Sequence, residues 1–198
     1  MQRYVLVEDL DIDDNAVLTD HPPEARDRMY LFQEGEPLES WFPKNAEYRM
    51  GSRYPNARGL YDLQSSTLSI LVVSKALREA LVEVGCRNIE FLPIVILNHR
   101  GKVASREYSI ANVLGLTDCV NRSKSAYTVD ALIPTMFHGI KKLVLEEDKV
   151  PVDLHIFRLK EMPTTHIITE ALKSAIEARG LRGMLFIPID EYDSALHT

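Results

Sequence analysis

Chemistry requires side chains that ionise, attack or coordinate, and this chain offers few of them in a working pattern. Its six histidines are scattered: His21, His99, His138, His155, His166 and His197. None stands at metal-ligand spacing from another histidine or a cysteine. HExxH and CxxC are both missing, so no metal and no cofactor is expected. Phosphate-cradling glycine loops and the GxSxG nucleophile turn do not occur either. Asp153 and His155 stand two apart in a stretch that reads as a strand. That spacing puts both on one face, where an acid would orient a base. No serine or cysteine is tied to them by sequence. Cys119, in LTDCVNRS, would act as a nucleophile only if the fold brought a histidine to it, and a small buried thiol is the plainer reading. A hydrolase or transferase with a site assembled from Asp153, His155 and Cys119 stands as the alternative. No catalytic residue is assigned.

The acidic residues fall into three groups. Asp9, Asp11, Asp13 and Asp14 follow the first apolar stretch, Glu146, Glu147 and Asp148 make a turn, and Asp190, Glu191 and Asp193 follow the last. A calcium loop starting at Asp9 would need glycine in sixth place and glutamate in twelfth, where the chain has Asp14 and Asp20. Each group therefore reads as a solvated turn, and together they offer a negative surface. With a net charge of −6, the chain suits a basic protein partner and is poorly suited to direct nucleic-acid binding through a broad basic face. Trp41, the only tryptophan, precedes Phe42; the pair fits a core position, and if exposed would anchor an interface. Asp9, Asp11, Asp13, Asp14, Trp41, Phe42, Asp190, Glu191 and Asp193 are the candidate partner contacts.

The elements that must position these residues are organised around a repeat. VSKALREALVEVGCRNIEFLPIVI (73–96) returns ninety-five residues later as ITEALKSAIEARGLRGMLFIPIDE (168–191), aligning Ala76 with Ala171, Gly85 with Gly180 and Pro93 with Pro188. Duplication and shared physical demands both account for such a match. Each copy reads as strand, cap, helix, turn, strand. Ser74 and Thr169 are N-cap types. Leu77, Ala80, Leu81 and Val84 follow helical spacing, as do Leu172, Ala175, Ile176 and Arg179. Gly85 and Gly180 supply the left-handed residue that ends each helix, with Cys86 and Leu181 placed to pack back on Leu81 and Ile176. Pro93 and Pro188 cannot donate to a ladder, so each predicts an edge or a bulge.

Elsewhere, strands are expected at Arg3–Glu8, Arg28–Gln33, Leu68–Val73, Tyr127–Ile133, Ile140–Glu146 and Val152–Lys160, and Glu107–Leu116 admits a strand or a short helix, with the strand favoured. Residues 34–68 are poorly periodic and rich in proline and glycine, which marks a wrapped surface segment or a functional loop. The tail after Asp190 is expected to fray. The whole is one α+β domain over 1–198, with a mostly antiparallel or mixed sheet and two similar strand–helix–strand units at about 69–97 and 153–190. Apolar content of 45% is ordinary for a globular chain, no stretch approaches the length of a membrane span, and no signal segment is expected, since MQRYVLVEDLDIDDN lacks the basic, long apolar and small-residue pattern of one. With only two cysteines, Cys86 and Cys119, a reducing cytoplasm is the expected compartment.

EYSIANVLGLTDCVNRSKS, followed by KKLVLEEDKVPVDLHIFRLKEMPTTHIITEALKSAIEARGLRGMLFIPI, resembles the bacterial polymorphic-toxin immunity family eleven, formerly a domain of unknown function. The likeness rests on Tyr108, Asn112, Val113 and Leu114, on the Asp118, Cys119 and Ser123 loop, on Phe157-Arg158-Leu159 and on the Gly180-Leu181-Arg182-Gly183 turn. It covers roughly 66–192; position 121 is Asn where the family pattern has Asp. The resemblance implies a cytoplasmic, non-enzymatic antidote that needs no cofactor. Such a protein binds a cognate toxin, for instance a basic nuclease, and occludes its active surface; homo-oligomerisation is left open.

Overall fold

The structure is a computed structural model that describes residues 2–196, so His197 lies outside the described residues. The protein is α+β. Its strands are β1 (Arg3–Glu8), β2 (Leu18–Asp20), β3 (Ala46–Met50), β4 (Leu63–Gln64), β5 (Val72–Ser74), β6 (Ile89–Leu97), β7 (Val103–Val113), β8 (Ala126–Val129), β9 (Phe137–Lys142), β10 (Ile156–Arg158), β11 (His166–Thr169) and β12 (Met184–Pro188). Two α-helices, α1 (Lys75–Val84) and α2 (Glu170–Ala178), lie within the repeat. The strands form a four-stranded sheet ordered β10-β11-β1-β12, a six-stranded sheet ordered β2-β3-β6-β7-β5-β4 and a β8-β9 ribbon. All pairings are antiparallel except β3 with β6.

β1 explains why its sequence is apolar at every interior position: both of its faces are covered. Tyr4 and Leu6 pack with α1 and α2 through Leu77, Leu81, Leu172 and Ile176, while Val5 packs beneath the β8-β9 ribbon with Phe137, Ile140, Phe157 and Ile167. A third cluster, built on Leu92, Ile94, Ile96 and Ile110, lies under the segment that carries Phe32 and Leu38.

Both helices have the predicted ends. Ser74 Oγ accepts from Leu77 N at 3.1 Å and Thr169 Oγ1 from Leu172 N at 3.4 Å. At the other ends, Cys86 N donates to Leu81 O at 3.0 Å and Leu181 N to Ile176 O at 3.3 Å, which is the Schellman pattern the two glycines allow. The two copies are brought side by side: their helices share one core, and Arg179 pairs with Glu83 across them. Pro188 lies on β12, an edge strand. Pro93 lies on interior β6, but pairing to β3 begins only at Ile94, and the β6–β7 register shifts between Ile94 and Ile96. The missing donor therefore falls where it costs no ladder bond on the β3 side.

Several expectations are corrected. Arg28–Gln33 belongs to a 3-10 helix over Pro23–Gln33, not a strand; of its apolar run only Phe32 is buried, while Tyr30 is 62% exposed. The irregular stretch at 34–68 contains β3 and β4; β3 alternates buried and exposed positions but is only five residues long, too short to stand out among the prolines and glycines. Strand Val152–Lys160 shrinks to Ile156–Arg158, because residues 152 and 153 form a turn. Tyr127–Ile133 stops at Val129, where the Asp130 carboxylate takes the N–H groups of Leu132 and Ile133 and ends the pairing. Ile140–Glu146 moves back to Phe137–Lys142. The C-terminal segment is held: Tyr192 and Ser194 are buried, and Ser194 bonds to Ile140 through both backbone and hydroxyl.

Candidate functional site

The residues that would carry catalysis are dispersed. Asp153 is exposed in the turn before β10, so it does not share a strand face with His155. His155 turns inward instead, its Nδ1 3.0 Å from the Oγ1 of Thr169, the cap of α2. Asp153 and His155 line an open cleft of about 610 Å³ beside Arg87 and Asn88, and no thiol borders it. Cys119 is fully buried in the cluster beneath the ribbon, and burial pushes its thiol up to about 12. A thiol in that state is neutral and is not a nucleophile. Cys86 is likewise pushed up to about 12 by burial. His166 is 5% exposed, and burial, reinforced by the Arg158 charge, pushes it down to about 3, so it stays neutral. Among the described residues no three histidine, cysteine or carboxylate side chains group as metal ligands.

The polar interior has a different organisation. Arg158, on β10, is 5% exposed and donates from Nη2 to Asn112 Oδ1 at 3.1 Å and from Nη1 to the Phe32 carbonyl. Asn112, on β7, donates to the Glu36 carbonyl at 2.9 Å and to Glu90 Oε2 at 3.0 Å. The Glu90 carboxylate also accepts from Leu38 N and Glu39 N, each at 2.8 Å. One chain of charge-assisted bonds thus joins both large sheets to the 32–39 segment. Asn112 and Arg158 are among the residues on which the family likeness rests, and their role is structural. The Asp118–Ser123 loop is similarly tied to β10, with Thr117 N donating to Arg158 O at 2.9 Å and Lys160 N to Thr117 O at 3.1 Å.

The candidate partner contacts occupy separate places. β1 and β12 run antiparallel, with Glu8 opposite Met184 and Tyr4 opposite Pro188. The loop of Asp9, Asp11, Asp13 and Asp14 therefore leaves one end of the pair, and Asp190 and Glu191 leave the other, with roughly 14 Å of paired strand between them. Glu147 joins the second group, since it pairs with Arg3 where β1 begins. Asp193 follows Tyr192, which is buried under β1, and accepts from Ala195 N at 2.9 Å. Trp41 and Phe42 are half-buried, each edge-on to Phe32 with ring centres 6.2 Å away, and Arg28 lies over the indole. They help cover the six-stranded sheet.

Two features escaped sequence reasoning. Glu8 closes the apolar run of β1 and is read there as a strand terminus; the fold half-buries it against Ser65 and Ser66, and that desolvation pushes it up to about 7. The loop between β8 and β9 carries Leu132, 92% exposed, and Ile133, 55% exposed. Its signal was present in the spacing of Asp130 and Pro134, which fits a turn better than a strand.

Fold and interior together define an α+β protein whose buried charges join its layers. Residues 8–191 match the Imm11 immunity protein family, and the chain belongs to that family; it is an immunity protein. A comparison with curated proteins finds no match.

Proposed function

We propose that this protein binds a cognate toxin and neutralises it by covering the surface through which the toxin acts, with no chemistry of its own. The carrying observation is the family match over nearly the whole chain. The condition of the reactive groups supports it, since Cys119 is a buried neutral thiol, His155 is engaged with Thr169 and Asp153 is exposed in a turn. The compartment is the cytoplasm, in keeping with two free, buried cysteines and with no helix long and apolar enough to cross a membrane among the described residues. The net charge of −6 supplies a long-range field that draws in a basic toxin such as a nuclease. Acidic loops at both ends of the β1–β12 pair spread that field over the molecule rather than concentrating it in one patch. Association is then faster at low ionic strength and slows as salt rises.

The test is co-expression with the protein encoded by the neighbouring gene. The expected result is that the neighbour alone kills, that this chain rescues, and that the two purify as a complex. Rescue that survives His155→Ala and Cys119→Ala supports binding alone. Loss of rescue in either variant, with the complex intact, overturns the reading in favour of catalysis.

A further inference from the structure

β1 and β11 pair only as far as Leu6 opposite His166. Beyond that point β1 runs on through Val7 and Glu8 against β12 alone. The chain leading into β11 is turned instead by Thr165 N, which donates to Met162 O at 2.8 Å. Where the two strands part, a cleft of about 350 Å³ opens, bounded on a third side by residues 66–71 ahead of β5. Its walls are apolar, from Leu6, Leu10, Ile70 and Met162, and of the side chains that line it only Glu8 carries a charge. Thr67 and Thr164 line it too and are exposed, which places them at its mouth.

Glu8 is half-buried and forms no ion pair among the described residues. Ser66 N donates to its two carboxylate oxygens at 3.2 and 3.3 Å, and burial pushes the carboxyl up to about 7. A glutamine would accept the same bond without a desolvated charge, so the fold gains nothing from an acid at this position. The other titratable groups at the cleft bring no cation. His166, from β11, is kept neutral by burial, and burial raises the Tyr192 hydroxyl, from the C-terminal segment. β12 sets Met184 opposite Glu8, and the chain ahead of β5 sets Ser65 and Ser66 against it.

An apolar cleft with one unpaired carboxylate complements an aliphatic stem that ends in a cation. A guanidinium would bring five donors to that single carboxylate and an ammonium brings three, so lysine is the closer match. The net charge of −6 already favours a basic partner, and the cleft offers such a partner one defined point of contact.

We propose that this cleft receives a lysine side chain of the toxin, its ammonium paired with the Glu8 carboxylate and its stem packed on Leu6, Leu10, Ile70 and Met162. This rests on the immunity reading above and names a contact through which it works. Pairing requires Glu8 to be ionised. Below neutral pH the carboxyl therefore gives its proton to the buffer as the complex forms, and binding strengthens as pH rises.

The experiment measures, by calorimetry between pH 6 and pH 8, the affinity of the purified full chain and of Glu8→Gln for the product of the neighbouring gene. Wild-type affinity rises about tenfold more over that range than that of Glu8→Gln, the difference set by a carboxyl that titrates near 7. Comparing the two proteins removes any titration that belongs to the partner. At pH 6, heats in buffers of different ionisation enthalpy show about 0.9 more protons released by the wild type. Glu8→Gln melts no lower than the wild type and binds about thirtyfold or more weakly at pH 8. Thr164→Trp plugs the mouth from an exposed position and weakens binding about tenfold with the melting temperature unchanged. Lys→Ala variants of the partner, made one at a time, locate one lysine whose loss abolishes the difference between wild type and Glu8→Gln. Parallel pH profiles for wild type and Glu8→Gln, or equal affinities at pH 8, overturn the proposal and leave the immunity reading standing. An arginine in place of the lysine overturns the assigned occupant. Wild-type protein that forms no complex with its neighbour overturns the immunity reading and the proposal together.

Discussion

Arg158 donates to the side-chain oxygen of Asn112 at 3.1 Å, and through that bond the four-stranded sheet is tied to the six-stranded one. Asn112 also spends its amide hydrogens on the Glu36 carbonyl and on Glu90, so it stands between a buried cation and a partly buried anion.

Removing that link takes one partner from each of two charges. Asn112→Ala is expected to destabilise the protein by about 2–4 kcal/mol, since it leaves buried Arg158 with only the Phe32 carbonyl and takes one donor from Glu90. A double-mutant cycle with Arg158→Met should return a coupling of about 1–3 kcal/mol by denaturant unfolding. Additive losses would mean the two residues act independently and that the network is incidental.

The shared helix core gives a second prediction. Leu81 and Ile176 are 3% and 1% exposed and meet in one cluster. Leu81→Asp or Ile176→Asp buries an unpaired carboxylate and is expected to cost about 4 kcal/mol or more, enough to unfold the protein. An unchanged melting temperature in either variant would refute the assigned helix faces.

Two glycines in one turn should behave differently. Both have positive φ, 64° at Gly180 and 99° at Gly183. A Cβ at Gly180 meets nothing within 4 Å, whereas one at Gly183 would lie 2.2 Å from the Leu63 carbonyl oxygen, a close backbone approach. Gly180→Ala should cost about 1 kcal/mol for the left-handed backbone alone. Gly183→Ala should cost about 3 kcal/mol or more, because β4 must move away. Equal melting temperatures for the two variants would show that the Leu63 contact does not constrain the turn.

Glu8 sets a pH dependence. Burial raises its carboxyl from an ordinary 4.5 to about 7. Between those values the native protein keeps a proton that the unfolded chain has released, so stability declines as pH rises through the window and levels off above it. Glu8→Gln keeps an acceptor for Ser66 N and removes the charge. It is expected to raise stability by about 2 kcal/mol near pH 8 and to leave it unchanged near pH 4. Thermal melts of both proteins across that range decide the matter; a constant difference at every pH would assign the effect to packing.

What the sequence determined was local. Ser74, Thr169, Gly85 and Gly180 announce their helix ends because capping is an interaction between residues three to five apart, and all four perform as read. The apolar run of β1 was equally plain. Among the elements misread, β3 has five residues among prolines and glycines, Asp130 stops β8 before the apolar residues that follow it, and the apolar run at 28–33 buries only Phe32, so it carries no clear period.

Only the tertiary structure could decide which distant groups meet. Asn112 and Arg158 are 46 residues apart, and nothing in either neighbourhood shows that one will hold the other. The acidic loops are separated by the antiparallel register of β1 and β12, a choice of strand partner that composition does not encode. Burial is the common cause. Whether Glu8, Cys119 or His166 ionises, and whether Leu132 is left outside, depends on which surfaces the sheets cover, and that is fixed by long-range packing.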